Sequence, residues 1–258
     1  MSERARARAA AILKALGAMG TDALAVGPRD LAGGVHALKV AALEAGVPLL
    51  SANLVGPTGA PLFEASRIVE RGGLRVGIVG VSTADLRVDE ARAYVAAHAS
   101  ATDPAVAVRR AVAALEGKVD LVVLLGRLDV REMRAVVPRT GVPLAFVGSS
   151  GQAPEVPARL GPALVFDGGM RGQGVLKVRL SWRRTGLFGA KRVRELVPAP
   201  KGAAVPNRVR VEAHLLDTRV PADAAIDAIV DPVRSGEERR ARRRQVGQVR
   251  SGPTLPSR

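Results

Sequence analysis

The sequence contains no cysteine, which excludes disulfide frameworks, thiolate metal sites and cysteine nucleophiles. Aromatic residues make up only 2% of the chain, whereas hydrophobic residues make up 47%. We therefore expect a core built mainly from Ala, Val and Leu. With 258 residues, the chain is long enough to bury such a core in one large α/β domain or in two small ones.

Long hydrophobic runs are also absent, so we predict no membrane-spanning segment. In residues 1–20, Arg4, Arg6 and Arg8 precede an apolar stretch, as in a signal peptide, but Lys14 interrupts that stretch after a few residues. An amphipathic helix that packs on the domain is the expected structure of this segment. The sequence leaves the cellular compartment open.

Acidic residues are few relative to basic ones, and the net charge is +15. Residues 234–258 contain eight Arg and two Glu, and we predict that they form a basic, disordered tail after a domain that spans 1–233. A second basic cluster lies within 177–194, where strand alternation is expected to turn the charges toward solvent. Because no nucleic-acid-binding motif accompanies these charges, binding to nucleic acid or to another anionic surface is only an alternative.

The hydrophobic pattern predicts strands that alternate with helices, followed by a region rich in antiparallel strands. A first strand, Thr21–Val26, precedes a helix over Leu31–Ala45, and a second strand, Pro48–Leu54, ends in a Ser-Ala-Asn turn. A glycine turn at 71–73 predicts a hairpin, and Asp103-Pro104 predicts the start of a helix. This order of elements favours two facing sheets flanked by helices.

The segment TDALAVGPRDLAGGVHALKVAALEAGVPLLSAN resembles the metallophosphatase (calcineurin-like phosphoesterase) family, in the branch of the bacterial 5'-nucleotidases. The later segments GLRVGIVGVST, GMRGQGVLKVRL and VPADAAIDAIVD extend the similarity from about Ile12 to about Val230. The resemblance implies a four-layer α/β/β/α sandwich. It also implies that the first strand and the first two metal loops are missing before the initial helix. An edge of the first sheet is then expected to be open or covered by that helix.

Members of this family use two divalent metal ions, and the resemblance allows their ligand positions to be located in this chain. In the first loop, Pro28 stands where the family has a metal-ligating Asn, and Arg29 stands where it has the catalytic His. Arg127 replaces the His of a Leu-Ser-His strand end, and Ser150 and Gln152 replace the two His residues of a Gly-His-x-His loop. Proline has no donor atom in its side chain, and a guanidinium repels a cation. We therefore predict no metal cofactor and no catalytic residue.

The replacements define a hypothetical pocket made of Arg29, Arg127, Ser150 and Gln152, which would bind phosphate or a nucleotide without hydrolysing it. The alternative is that the arginines only fill and solvate an empty cleft. Arg29 and Arg127 are expected to lie near each other, with an anion or a carboxylate between them. Asp30 and Asp129 are the nearest acids in the sequence, and Asp30 is expected to pair with Arg29.

Three functions remain open at this point. The favoured one is a catalytically silent domain that binds a phosphate-bearing ligand or serves as a scaffold for a partner protein. The second, implied by the resemblance, is an active metal-dependent phosphohydrolase of the 5'-nucleotidase type. The third is a basic protein that binds nucleic acid or an anionic surface through its arginine-rich tail.

Overall fold

The computed structural model describes residues 3–148, 158–168, 174–181, 208–216 and 220–234. Six α-helices occur in these residues, and their bounds are α1 Glu3–Ala18, α2 Val35–Ala45, α3 Val88–Ala96, α4 Pro104–Ala114, α5 Val130–Val136 and α6 Ala224–Val230. Short 3₁₀ helices span Pro28–Gly33, Val137–Arg139 and Asp231–Val233. The predicted start of α4 is confirmed, because Asp103 accepts a hydrogen bond from the backbone N–H of Val106 and Pro104 follows it.

The strands of the described residues form one large sheet and three small ones. Their bounds are β1 Leu24–Ala25, β2 Leu49–Leu50, β3 Leu54–Val55, β4 Ser66–Arg71, β5 Leu74–Ser82, β6 Ser100–Ala101, β7 Leu121–Arg127, β8 Leu144–Val147, β9 Ala158–Leu160, β10 Ala163–Asp167, β11 Gly174–Ser181 and β12 Arg208–Leu215. The predicted hairpin around residues 71–73 is confirmed as β4 and β5.

The large sheet has six strands in the order β4-β5-β7-β8-β10-β9. Strands β5, β7, β8 and β10 are parallel, and the outer strands β4 and β9 are antiparallel to their neighbours. Parallel neighbours end at the same edge of a sheet, and the register places Ser82, at the end of β5, beside Arg127, at the end of β7. This edge therefore collects the residues that follow several strands.

Both faces of the large sheet are covered. One face carries Val79, Leu124 and Val165 and packs with the apolar residues of α4 and α5. The other face carries Leu144 and Phe166 and packs against the apolar side of the hairpin formed by β11 and β12. Layers of helix, sheet and facing hairpin confirm the predicted α/β architecture with a multi-strand central sheet and flanking helices.

The hairpin of β11 and β12 also tests the prediction about the second basic cluster. Lys177 and Arg179 lie on its exposed side, whereas Leu176 and Val178, which alternate with them, pack toward the large sheet. The alternation is therefore confirmed for these two charges. The rest of the cluster and the arginine-rich segment 235–258 lie outside the described residues.

The first part of the chain forms a β–α–β unit in which β1 and β2 are parallel. This unit is bonded to the large sheet, because the N–H of Ala52 donates to the carbonyl of Gly80 in β5. The N–H of Ser51 also donates to the carbonyl of Glu64, which lies just before β4. Leu50 lies against Gly80 so closely that an added Cβ would be 2.6 Å from the carbonyl carbon and oxygen of Leu50. The glycine in the middle of β5 thus permits the contact between the two sheets.

Helix α1 packs against α2 and α6, as expected for a helix that lies on the domain. It buries Ala11, Leu13 and Ala15, while Glu3, Arg4, Arg6 and Lys14 are exposed. Arg8 is partly buried, and its Nε donates to the carbonyl of Val233. Among the described residues, no helix combines the length and the apolar character that are needed to cross a bilayer.

Candidate functional site

The loop after β1 and the end of β7 meet at the carboxyl edge of the large sheet. An added Cβ on Gly27 would lie 3.2 Å from Cγ of Arg127, so the arginine side chain packs directly on this loop. Pro28 is buried and begins the 3₁₀ helix that follows, a position where the missing N–H of proline costs no hydrogen bond.

Arg127 is held by two partners. Its Nη1 donates a hydrogen bond of 3.1 Å to the carbonyl of Gly148, and its Nη2 lies 3.4 Å from Oε1 of Glu90. The side chain of Glu90, on α3, is only 4% exposed, whereas that of Arg127 is 35% exposed. The guanidinium therefore connects α3 to the end of β8 while part of it remains open to solvent.

Arg29 also reaches α3, but at the surface. Its Nη2 lies 3.5 Å from Oδ2 of Asp89, and 77% of its side chain is exposed. A pair this exposed contributes little to stability. Both arginines of the expected pocket therefore contact neighbouring residues in the first turn of one helix.

The acids that the sequence suggested as partners make other contacts. Oδ2 of Asp30 accepts a 2.7 Å hydrogen bond from the N–H of Gly27, and Arg29 pairs with Asp89 instead, so the expected pair between Arg29 and Asp30 is corrected. Asp129 caps α5 by accepting a hydrogen bond from the N–H of Glu132. Asp129 is thus a helix cap, because its position directly before a helix lets its carboxylate satisfy a free N–H.

The carboxyl group of Asp30 nevertheless belongs to the electrostatic environment of Arg127. The protein atoms around this carboxyl raise its pKa, and the hydrogen bond from Gly27 and the charge of Arg127 oppose that rise. Since the raised pKa disfavours the ionised form, ionisation of Asp30 costs some folding stability as pH rises through its folded pKa.

A buried polar network lies below this edge and involves the Ser-Ala-Asn turn. Oδ1 of Asn53 accepts a 2.9 Å hydrogen bond from the N–H of Ser82, and Nδ2 donates to the carbonyls of Ser82 and Thr102. Ser51 Oγ lies 2.8 Å from Ser82 Oγ, which donates to the carbonyl of Val26. The network joins the ends of β1, β2 and β5, a role that the sequence pattern did not reveal.

A second buried group fixes the loop after β5. Glu132 accepts hydrogen bonds from Oγ1 of Thr83 and from the N–H groups of Ala84 and Asp85. Tyr94 of α3 donates to the carbonyl of Thr83 at 3.0 Å. Burial raises the pKa of Tyr94, and the negative charge of Glu132 acts in the same direction, so the phenol stays protonated as a donor.

The described residues at this edge do not fit a pair of divalent cations. The side chains of Pro28, Arg29 and Arg127 offer no ligand atom for a metal ion. Within the described ranges, no group of three or more His, Cys, Asp or Glu side chains is arranged to hold one. Ser150 and Gln152, the other two residues of the predicted pocket, lie outside the described residues.

Comparisons with solved structures identify the fold. The chain is similar to the sulfate thiohydrolase SoxB of Thermus thermophilus, with a TM-score of 0.66 and 20% identity over 95% of this chain and 40% of that one. It is similar to a 5'-nucleotidase precursor from the same organism, with a TM-score of 0.62 and 19% identity over 86% of this chain and 44% of that one. It is also similar to the calcineurin-like phosphoesterase YfkN of Bacillus subtilis, with a TM-score of 0.59 and 12% identity over 93% and 75% of the two chains.

The chain thus spans less than half the length of the first two of these proteins. No protein-family model and no curated protein sequence matches it. The identities are low, so the agreement is one of fold alone. On this evidence, the chain has the fold of the metallophosphatase superfamily.

Proposed function

We propose that this chain is a catalytically silent metallophosphatase-like domain that binds a phosphate-bearing ligand at Arg127. The observation that carries the proposal is the guanidinium of Arg127, which is fixed at the end of β7 by Glu90 and Gly148. The resemblance places a metal-ligating His at this position. An arginine there has five N–H donors, of which Glu90 and Gly148 engage two, so others can bind an anion.

The same guanidinium argues against metal-dependent hydrolysis. Two-metal phosphatases hold their cations at strand-end loops so that both metals neutralise the charge of the transition state. An unpaired positive charge about 4 Å from a divalent ion repels it by about 8 kcal/mol at an effective dielectric constant near 20, and the ion pair with Glu90 reduces this value for Arg127. A metal would have to overcome this repulsion without ligand atoms from Pro28, Arg29 or Arg127.

The acids on α3 limit how tightly phosphate is expected to bind. Asp89 and Glu90 already pair with the two arginines, so phosphate has to compete with carboxylates that belong to the protein. We therefore expect a dissociation constant in the millimolar range, which corresponds to about 4 kcal/mol of binding free energy.

Phosphate and sulfate are expected to raise the melting temperature of the protein more than chloride does at matched ionic strength. At ten times the dissociation constant, the gain is about 1.4 kcal/mol, or about 4 °C. The double variant Arg29→Gln plus Arg127→Gln should lose the difference between anions. Arg92→Gln, an exposed change on α3 outside the site, should retain it. Equal melting temperatures in all three anions would reject phosphate binding and would leave the alternative that the arginines only fill and solvate the cleft.

Metal analysis tests separately whether the domain lacks metal-dependent catalytic activity. After incubation with Mn²⁺ and dialysis, we expect well under one metal ion per chain, because the described loops carry arginine and proline side chains where metal ligands are needed. Release of phosphate from nucleoside monophosphates should stay at the level of a protein-free blank. Stoichiometric metal together with turnover would establish the active phosphohydrolase instead.

A further inference from the structure

A cavity of about 300 Å³ lies between α1, α2 and the loop that follows β1. Its wall is mainly apolar and includes Ala10 and Leu13 of α1, Leu38 and Ala41 of α2, and Leu24 of β1. The cavity exists because small alanine side chains face each other where the two helices pack. A group the size of a water molecule occupies roughly 30 Å³, so a cavity of this volume has room for a chain of about ten groups of that size.

Two positive charges border this apolar space. Arg6 and Arg29 line the cavity, and both residues are exposed; Arg29 pairs with Asp89 through Nη2 and keeps its other N–H donors. The side chain of Arg6 makes no hydrogen bond or ion pair with another described residue. The acid that lines the same cavity, Asp30, directs Oδ2 to the N–H of Gly27. The border of the cavity therefore offers guanidinium donors to an anion, while its interior offers only apolar surface.

We propose that this cavity binds an alkyl carboxylate of about ten carbons, with its chain among the alanines and leucines and its carboxylate at Arg6 and Arg29. The apolar lining favours a saturated chain because it removes the chain from water without leaving a polar group unpaired. Charge complementarity selects a carboxylate over an alcohol of the same length. This site is separate from Arg127, which does not line the cavity.

Decanoate, used below its micelle concentration, is the probe, and its binding is measured by isothermal titration calorimetry. We expect decanoate to bind with a 1:1 stoichiometry, decanol to bind at least tenfold more weakly, and acetate to show no heat of binding. Equal affinity for decanol would overturn the role of the arginines. Binding of acetate as tight as that of decanoate would overturn the role of the apolar cavity.

Variants locate the binding. Ala10→Phe fills the cavity and should weaken decanoate binding at least thirtyfold, whereas Ala7→Phe, on an exposed position of α1 outside the lining, should not. Arg6→Gln, which changes an exposed residue and leaves the core intact, should weaken binding about tenfold, with Arg4→Gln as its control. Unchanged affinity in both Ala10→Phe and Arg6→Gln would overturn the proposal.

Arg29 belongs to both proposed sites, so the variants that separate the two proposals are those that leave it unchanged. Ala10→Phe and Arg6→Gln leave Arg127 and Glu90 unchanged, so both variants should keep the difference between phosphate and chloride in their melting temperatures. Decanoate binding without a phosphate effect would reject only the function proposed for Arg127. A phosphate effect without decanoate binding would reject only the cavity.

Discussion

Asn53→Ala is expected to lower the free energy of unfolding by about 3 kcal/mol, which corresponds to a drop of about 9 °C in the melting temperature. The Asn53 side chain is completely buried and makes hydrogen bonds with the N–H and the carbonyl of Ser82 and with the carbonyl of Thr102. Alanine would leave the Ser82 groups buried without that partner, and each unsatisfied buried group costs about 1–3 kcal/mol.

Urea denaturation of the variant and the parent protein measures this loss directly. Thr58→Ala is a suitable control because it removes an exposed polar side chain from the same part of the chain. Its effect should stay within about 0.5 kcal/mol. A loss of less than about 1 kcal/mol in Asn53→Ala would show that other groups or water replace the amide at no cost.

Gly80→Ala is expected to destabilise the protein by about 3 kcal/mol through overpacking. The added methyl group would lie 2.4 Å from Cβ and 2.6 Å from the backbone carbonyl of Leu50. A flexible side chain can move away from such a contact, but backbone that is already bonded to a neighbouring strand cannot. The β–α–β unit therefore has to shift relative to the large sheet.

Gly148→Ala provides the matched control for this change. An added Cβ at Gly148 meets no heavy atom within 4 Å, so its substitution should cost little. Thermal denaturation of both variants compares the two positions under the same conditions. Equal melting temperatures would contradict the close approach of Leu50 to Gly80.

Much of the fold follows from local sequence patterns. The glycine turn at 71–73 predicts the β4–β5 hairpin, and Asp103-Pro104 predicts the start of α4, because each pattern fixes backbone geometry within a few residues. The meeting of the loop after β1 with Arg127 follows from the expected fold, since strand ends converge at one edge of a sheet.

The contacts of the site were harder to predict because they depend on how α3 is oriented. In the sequence, Asp89 and Glu90 look like ordinary acids in the first turn of a helix, where a negative charge interacts favourably with the helix dipole. Only the packing of α3 on the loop after β1 brings them to Arg29 and Arg127. The hydrogen bonds of Asn53 likewise join residues that are far apart in the sequence, so no local pattern indicates them.

The hydrogen bonds from Ala52 to Gly80 and from Ser82 to Asn53 also affect how the protein opens. They connect the β–α–β unit to β5, a strand that pairs with β7 over seven residues. We therefore expect opening of that unit to disrupt β5, so that both regions open as one cooperative unit. The amide protons of Ala52 and Ser82 are then expected to exchange with solvent only through the opening that also releases the core of the large sheet.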